Sequence, residues 1–236
     1  MPRRLHYGPG TPCWVDCITP DLTGSRAFYR AVMGWEFVTE SPDYQLAELA
    51  GEIIGGFGAA PANLPPRAAW NVYLATKDAE HTCALVRGLG GQVVMSPVPA
   101  SGNGRLFLAV DPSGVAVGFW EGHQAEGVVL VDEAGAVCGH ELRVPDARRA
   151  AAFYGDLFGY RLTADGEWLD LEGAVRTRVV ESDQGRSLWL PYFGASDVRR
   201  TVESALVHGA QLVRSGRGEP TVLRDPWGAE FGLVGC

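Results

Sequence analysis

The stretch DLTGSRAFYRAVMGW, residues 21–35, returns in altered form as DARRAAAFYGDLFGY, residues 146–160. In both copies Phe-Tyr begins seven residues after the Asp, and a Gly follows that Asp by 13 residues. Further along, the tetrapeptide DPSG at 111–114 returns as DPWG at 225–228. A repeat of more than 100 residues indicates a duplicated domain, because solenoid repeats are typically about 20–50 residues long.

Length and composition bound the domain organisation and the partners. With 236 residues the chain has room for two modules of ordinary domain size. We predict a first module at 11–121, a linker at 122–137 and a second module at 138–236. The net charge of -8 argues against a nucleic-acid partner, whose phosphates require a basic face. No apolar run approaches the roughly 20 residues that a membrane-spanning helix needs.

The N-terminal residues and the cysteines indicate the compartment. Residues 1–10 carry two arginines but no apolar segment behind them, so we expect no secretory signal. Five cysteines are odd in number and too few for a disulfide framework in a chain of this length. We therefore expect a cytoplasmic protein with reduced thiols. Because the internal duplication already pairs two modules, we expect a monomer or a weak homodimer.

Each copy predicts two βαβββ units. Asp21 is placed to cap a helix whose apolar residues recur at helical spacing, and Gly34 is placed to end it in the left-handed conformation. Short β-rich runs with turn residues between them follow. In the first module the sequence predicts helices at 21–34 and 78–89, and strands at 14–19, 35–39, 45–49, 52–57, 70–76, 92–95, 106–110 and 115–120.

This arrangement resembles the vicinal oxygen chelate superfamily, which includes glyoxalase I, bleomycin-resistance proteins and extradiol dioxygenases. The opening GTPCWVD, residues 10–16, resembles a two-module actinobacterial branch of that superfamily. The resemblance implies an α+β fold of tandem duplicated glyoxalase-like modules. Each module would be two βαβββ units that form an incompletely closed eight-stranded sheet. The resemblance says little about chemistry, since one fold hosts many functions.

The resemblance also implies where a divalent metal would be held on the concave face of each sheet. Each module has three positions equivalent to the family's ligands. On the first strands they are Trp14 and Gly139, on the middle strands Val72 and Pro191, and on the last strands Gly118 and Gly232. None of these side chains is a donor that divalent cations use. We therefore expect no metal and no cofactor. His140 is the one histidine near such a position, but strand alternation points it to the opposite face.

Carboxylates are expected at the centre of the clefts instead. Strand alternation places Asp16, Glu141 and Arg143 on the cleft face of the first strands, and Glu230 on that of a last strand. Asp16 and Glu141 occupy equivalent positions, five residues before the helix-capping Asp. They are candidate polar anchors or acid/base groups. Alternatively they form structural ion pairs, Glu141 with Arg143 and Asp16 with an arginine such as Arg105 or Arg178. The second module is the expected seat of polar chemistry, because it keeps Glu230.

Aromatic residues are expected to wall the clefts. The candidates are Trp14, Trp70, Trp120, Trp189 and Phe193, which equally suit the seam between two duplicated modules. Three functions follow. The first is metal-independent binding of an apolar or aromatic small molecule, for sequestration, resistance or transport. The second is an isomerase, cyclase or lyase that uses Glu141, Asp16 or Glu230 as acid or base. The third is a metal-dependent lyase or dioxygenase whose ligands lie elsewhere.

Overall fold

The computed structural model of the protein describes residues 3–63, 66–100, 102–171, 175–182, 186–216 and 219–236. The first half contains helices α1 (Leu22–Met33) and α2 (Ala79–Gly88). Its strands are β1 (Pro12–Thr19), β2 (Glu36–Ser41), β3 (Tyr44–Leu49), β4 (Glu52–Ala59), β5 (Ala69–Ala75), β6 (Gln92–Ala100), β7 (Gly104–Val110) and β8 (Ala116–Gly122).

The second half repeats the same order of elements. Its helices are α3 (Ala147–Phe158) and α4 (Val198–Val207). Its strands are β9 (Val137–Val144), β10 (Arg161–Leu162), β11 (Trp168–Leu171), β12 (Val175–Glu181), β13 (Leu188–Ala195), β14 (Gln211–Gly216), β15 (Glu219–Arg224) and β16 (Glu230–Gly235). No helix among the described residues is long and apolar enough to cross a membrane.

The repeated landmarks are helix caps, as their sequence predicts. Asp21 accepts a hydrogen bond from the backbone N–H of Gly24 at 2.9 Å, and Asp146 does the same for the first turn of α3. Gly34 and Gly159 end α1 and α3 with φ of 74° and 88°, a conformation that favours glycine. The duplication therefore fixes where the first helix of each module begins and ends.

Each half forms its own eight-stranded sheet. The strand orders are β2-β3-β4-β1-β5-β8-β7-β6 and β10-β11-β12-β9-β13-β16-β15-β14. At the centre β1 pairs antiparallel with β5, and each of these strands has a parallel outer neighbour. The end strands of each order have one neighbour, so the sheets are incompletely closed. The predicted α+β architecture of two duplicated modules, each with an incompletely closed eight-stranded sheet, is confirmed.

One face of each sheet packs into an apolar core that the two modules share. Trp35 lies at the centre of this core, fully buried, stacked on Tyr29 at 5.2 Å and edge-on to Phe193 of the second module at 5.0 Å. Its indole N–H donates to the carbonyl of Gly135 at 2.7 Å. Aromatic pairs of this kind add to the free energy of apolar burial. The seam between the modules is therefore a continuous part of the core.

The repeated motifs contact each other across this seam. The Tyr29 hydroxyl donates to Asp225 at 3.2 Å, and the Tyr154 hydroxyl donates to Asp111 at 2.9 Å. Each module thus places the tyrosine of its first helix on the Asp-Pro-x-Gly turn of the other. Burial of all four side chains makes these hydrogen bonds costly to lose.

Candidate functional site

A cavity of about 440 Å³ occupies the concave face of the first sheet. This volume lies within the range of about 300–1,000 Å³ typical of small-molecule pockets. Aromatic and aliphatic side chains form most of its wall, and residues after β8 close one side. The lining side chains that matter most are Trp14, Asp16, Tyr44, Leu46, Ile53, Tyr73, Asn103, Leu106, Trp120 and Val129.

Asp16 lies at the base of the cavity and is only 4% exposed. It accepts hydrogen bonds from the Asn71 amide at 2.8 Å, the Tyr73 hydroxyl at 2.9 Å and the Tyr44 hydroxyl at 3.3 Å. The indole N–H of Trp14 donates to the Tyr44 hydroxyl at 3.2 Å. All of these donors are neutral, and no ion pair involves Asp16 among the described residues.

Burial therefore decides the ionisation of Asp16. Loss of hydration raises the pKa of its carboxyl to about 6, although the hydrogen bonds from Asn71, Tyr73 and Tyr44 act in the opposite direction. The pKa values of the Tyr44 and Tyr73 hydroxyls are raised as well, by burial and by the Asp16 charge. Both phenols are hydrogen-bond donors at neutral pH. Asp16, with a carboxyl pKa of about 6, can hold or release a proton close to neutral pH.

The glycines at the expected ligand positions of the last strands have a steric cause. A Cβ at Gly118 would overlap the ring of Tyr73, which crosses from the adjacent strand. In the second module a Cβ at Gly232 would overlap the ring of Tyr192 in the same way. The Tyr192 hydroxyl donates to Glu141 as the Tyr73 hydroxyl donates to Asp16. In each module a tyrosine–carboxylate pair occupies the space of a metal ligand.

These side chains do not fit the metal that the fold family implies. Trp14, Gly118 and their equivalents in the second module offer no donor at their positions. The middle-strand positions were misplaced by one residue: Val72 faces the core, and the cleft-facing residue is Tyr73. The described residues contain no group of three or more His, Cys, Asp or Glu side chains that could hold a metal ion.

The cleft of the second sheet is crossed by ion pairs. Arg143 donates to Glu141 at 3.0 Å and to Glu230 at 2.9 Å, and Arg214 donates to Glu141. Arg224 donates to Glu230 at 2.9 Å. Burial alone would raise the pKa values of both glutamates, but the arginines outweigh it and lower them.

The expected ion pair between Glu141 and Arg143 is thus present, and the expected pairing of Asp16 with Arg105 or Arg178 is not. Arg105 pairs with Glu80, and Arg178 pairs with Glu219. The expectation that the second module is the seat of polar chemistry stays a prediction, because both clefts contain buried carboxylates. The carboxylate without a cationic partner is in the first module.

The strand register identifies equivalent positions in the two clefts and shows that they differ in charge. In the first module Asp16 pairs with Gly56, whereas in the second module the equivalent Glu141 pairs with Arg178. The position of Glu230 in the second module is occupied by Ala116 in the first. The other arginines of the second cleft also have uncharged equivalents in the first. Those pairs are Arg143 and Ile18, Arg214 and Met95, and Arg224 and Val110.

Three aromatic candidates lie in the core and not in a cleft. Trp70 pairs with Cys17 on the face opposite Asp16, and its indole N–H donates to Tyr29 at 2.9 Å. Trp189 donates to Tyr154 at 2.8 Å, and Phe193 packs on Trp35 and Trp70. Their expected position in a cleft was wrong, because a one-residue change of register moves a side chain to the other face. Trp70 and Phe193 instead occupy the alternative position, the seam between the modules. Trp14 and Trp120 do line the first cavity.

His140 lies on the face opposite Glu141, as alternation predicts, against a smaller pocket of about 170 Å³ between the modules. Loss of hydration and the charge of Arg4 lower its pKa to about 3. The imidazole is therefore neutral at physiological pH. It shares this pocket with Cys138 and Asp132 and does not line the first cavity, although Trp14 lines both.

The sequence reasoning missed Tyr44, Asn71 and Tyr73. A usable signal existed for one of them: Trp70-Asn-Val-Tyr73 returns as Trp189-Leu-Pro-Tyr192. A Trp and a Tyr three positions apart on a strand point to opposite faces. The repeat therefore places one aromatic in the core and the other in the cleft. No comparable sequence signal identifies Tyr44. Its side chain occupies the space that a Cβ at Gly56 would fill.

Comparison with known families assigns both halves to related groups. The family model described as "Glyoxalase/Bleomycin resistance protein/Dioxygenase superfamily" matches residues 13–119. A second model, "Glyoxalase-like domain", matches residues 139–234. Together the two models account for nearly the whole chain.

Relatives and solved structures agree on the architecture. The chain is 29% identical to the Mycobacterium tuberculosis protein named "Putative glyoxylase CFP32", over 99% of this chain and 98% of that one. It is 28% identical to "Anthracycline biosynthesis protein DauV" of a Streptomyces species, over 97% and 94%.

Among solved structures, the Mn(II)-bound glyoxalase from Novosphingobium aromaticivorans superposes with a TM-score of 0.67 at 18% identity, over 96% of this chain and 82% of that one. The 2,3-dioxygenase LapB from Pseudomonas sp. KL28 gives the same TM-score at 16% identity, over 98% and 93%. At such identities the likeness concerns the fold alone.

Proposed function

Because the chain belongs to the glyoxalase/bleomycin resistance protein/dioxygenase superfamily, we propose that its first module binds an apolar, aromatic small molecule without a metal. The ligand lies in the 440 Å³ cavity, between Trp14 and Trp120, and presents a hydroxyl or amine to Asp16. The observation that carries the proposal is the single buried carboxylate in an otherwise largely apolar cavity, held by neutral donors.

The cavity chemistry supports an aromatic ligand with one polar group. Flat rings gain contact area from indole walls, and a hydroxyl or ammonium donor is favoured where a buried carboxylate has no cation beside it. The names of DauV and of "Anthracycline biosynthesis protein DnrV" of Streptomyces peucetius connect two relatives with polycyclic aromatic compounds. For this chain that connection guides the choice of ligands to test. We also propose a cytoplasmic location, a compartment that would keep the five free cysteines reduced.

Binding is tested by titrating a panel of aromatic polyketides and measuring the quenching of tryptophan fluorescence, confirmed by calorimetry. Saturable binding at one site per chain is expected. Ile53→Trp fills the cavity and should abolish binding, whereas Leu212→Trp on the exposed edge strand β14 should not. Equal affinity in wild type and Ile53→Trp would place the ligand elsewhere and contradict the proposal.

A second candidate function is acid/base catalysis by Asp16, favoured by its carboxyl pKa of about 6. Such a group can take a proton from carbon next to a carbonyl and return it at another position, which is an isomerisation. The test is exchange of that proton with deuterated water, followed by mass spectrometry. Exchange in wild type that disappears in Asp16→Asn supports catalysis; binding without exchange or product leaves the protein a binding module.

A further inference from the structure

The second cleft carries more positive charge than its own glutamates neutralise. Three glutamates, Glu141, Glu219 and Glu230, are connected by ion pairs to four arginines. These arginines are Arg143, Arg178, Arg214 and Arg224. Two more, Arg186 and Arg67, extend the group, since Arg186 lies within electrostatic reach of Arg67, Arg224 and Glu230. The group thus contains six arginines and three glutamates, with Asp170 of β11 on the same face of the sheet, in a chain whose net charge is -8.

The excess is specific to this cleft. Relative to the first module, four positions have become arginine and two have become acidic, since Glu230 replaces Ala116 and Glu219 stands where Arg105 does. A network built only to hold the sheet together would gain cations and anions in similar numbers, because an unpaired buried charge is costly. In the second cleft, the positions that differ from the first module include more arginines than glutamates.

Several guanidinium N–H groups have no hydrogen-bond partner. The buried nitrogens concerned, among the described residues, are Arg178 Nη1, Arg224 Nε and Arg214 Nε, the last of which lies 4.0 Å from Glu219 Oε2. Native structures leave few buried polar atoms unpaired, so such atoms call for a ligand or a water molecule. Loss of hydration and the charge of Arg67 also lower the pKa of Arg186, as expected for a cation among cations.

The cleft remains open to solvent at its rim. Arg143 lies deepest, with 10% of its side chain exposed, whereas Arg178, Arg214 and Arg224 are 23%, 24% and 35% exposed. Arg67 and Arg186 are exposed. The guanidinium group offers planar pairs of donors that match the oxygens of a carboxylate or a phosphate.

We propose that the arginine cluster of the second cleft is a binding site for an oxyanion, the phosphate or carboxylate group of a small molecule. The site is separate from the first-module cavity and stands independently of the function proposed for it. The two clefts of the duplicated fold thus take ligands of opposite character, one apolar with a donor group and the other anionic.

The probes are inorganic phosphate, pyrophosphate and malonate, titrated by calorimetry and thermal shift at constant ionic strength, with sodium chloride as the reference. Saturable binding of at least one probe, tighter than chloride, is expected. Pyrophosphate alone would identify a phosphate site, malonate alone a carboxylate site, and both a general oxyanion site. No saturable binding by any probe would overturn the proposal.

The double variant Arg67→Gln/Arg186→Gln tests the location, because both side chains are exposed and the change should leave the fold intact. At least a tenfold loss of affinity is expected. The matched control is Arg199→Gln on α4, which removes an exposed arginine paired only with Glu203 in the same helix and should bind like wild type. Crystals of wild type soaked in the probe give a second measurement: density against Arg186 or Arg224 supports the site, and density only elsewhere contradicts it.

Discussion

Replacing Asp16 by asparagine should stabilise the folded protein above pH 6. Burial raises the pKa of this carboxyl from 3.8 to about 6 in the folded protein. A change of roughly two pKa units corresponds to about 3 kcal/mol of unfolding free energy. The amide introduced by Asp16→Asn keeps an acceptor for Asn71 and removes the buried charge. We therefore expect the variant to gain about 2–3 kcal/mol at pH 8 in the absence of ligand.

The sign of the pH dependence follows from the raised pKa. Between about pH 4 and pH 6 the folded protein binds more protons at Asp16 than the unfolded chain does. The stability that this carboxyl contributes is therefore fully present below pH 4 and is lost as the pH rises through 6. Urea unfolding of both proteins from pH 3.5 to pH 8 measures the difference, which should be smallest at the acid end. Subtracting the two curves removes the titration of all other groups.

The equivalent change in the second module is the matched control, with the opposite sign. Glu141→Gln leaves Arg143 and Arg214 buried against a neutral group, and removing one partner of a buried ion pair typically costs about 3–5 kcal/mol. If Asp16→Asn instead destabilised the protein at pH 8 as much as Glu141→Gln does, Asp16 would have a cationic partner in solution. That result would refute the electrostatic difference between the two clefts.

Three further changes probe the scaffold and the absence of metal ligands. Gly118→Ala should lower the free energy of unfolding by about 1–3 kcal/mol and weaken aromatic binding, because the new methyl group overlaps Tyr73. The control Gly139→Ala should leave urea unfolding nearly unchanged, because its Cβ would lie 3.5 Å from its nearest neighbour. Tyr29→Phe should cost about 1–3 kcal/mol by the same measurement, since it leaves Asp225 without its donor across the seam. Elemental analysis should find no stoichiometric divalent metal, and EDTA should leave the melting temperature unchanged; stoichiometric zinc, manganese or iron held at a cleft would contradict this.

The sequence predicts the fold well because its landmarks are local. An Asp that caps a helix and a Gly that ends it impose the same geometry wherever they occur, so residues 21–35 and 146–160 locate both modules. The strand faces follow by alternation for Trp14, Asp16 and Glu141, which lie close to those landmarks.

The candidate site is predicted less well because it depends on register between distant strands. An error of one residue in the register of β5 predicts the cleft face for Trp70, which lies on the core face. The same error hides Tyr73, which lies on the cleft face. The partners of a carboxylate are also invisible in the sequence. Nothing local to Asp16 or Glu141 shows that neutral phenols surround the first while Arg214, 73 residues away, reaches the second.

The crystal structure of the protein with the tightest-binding aromatic compound of the panel tests the central claim most directly. We predict one molecule per chain in the first-module cavity, against Trp14 and Trp120, with a hydroxyl or amine within hydrogen-bond distance of Asp16. An aromatic ligand in the second cleft, or one coordinated to a metal ion in either cleft, would contradict the account.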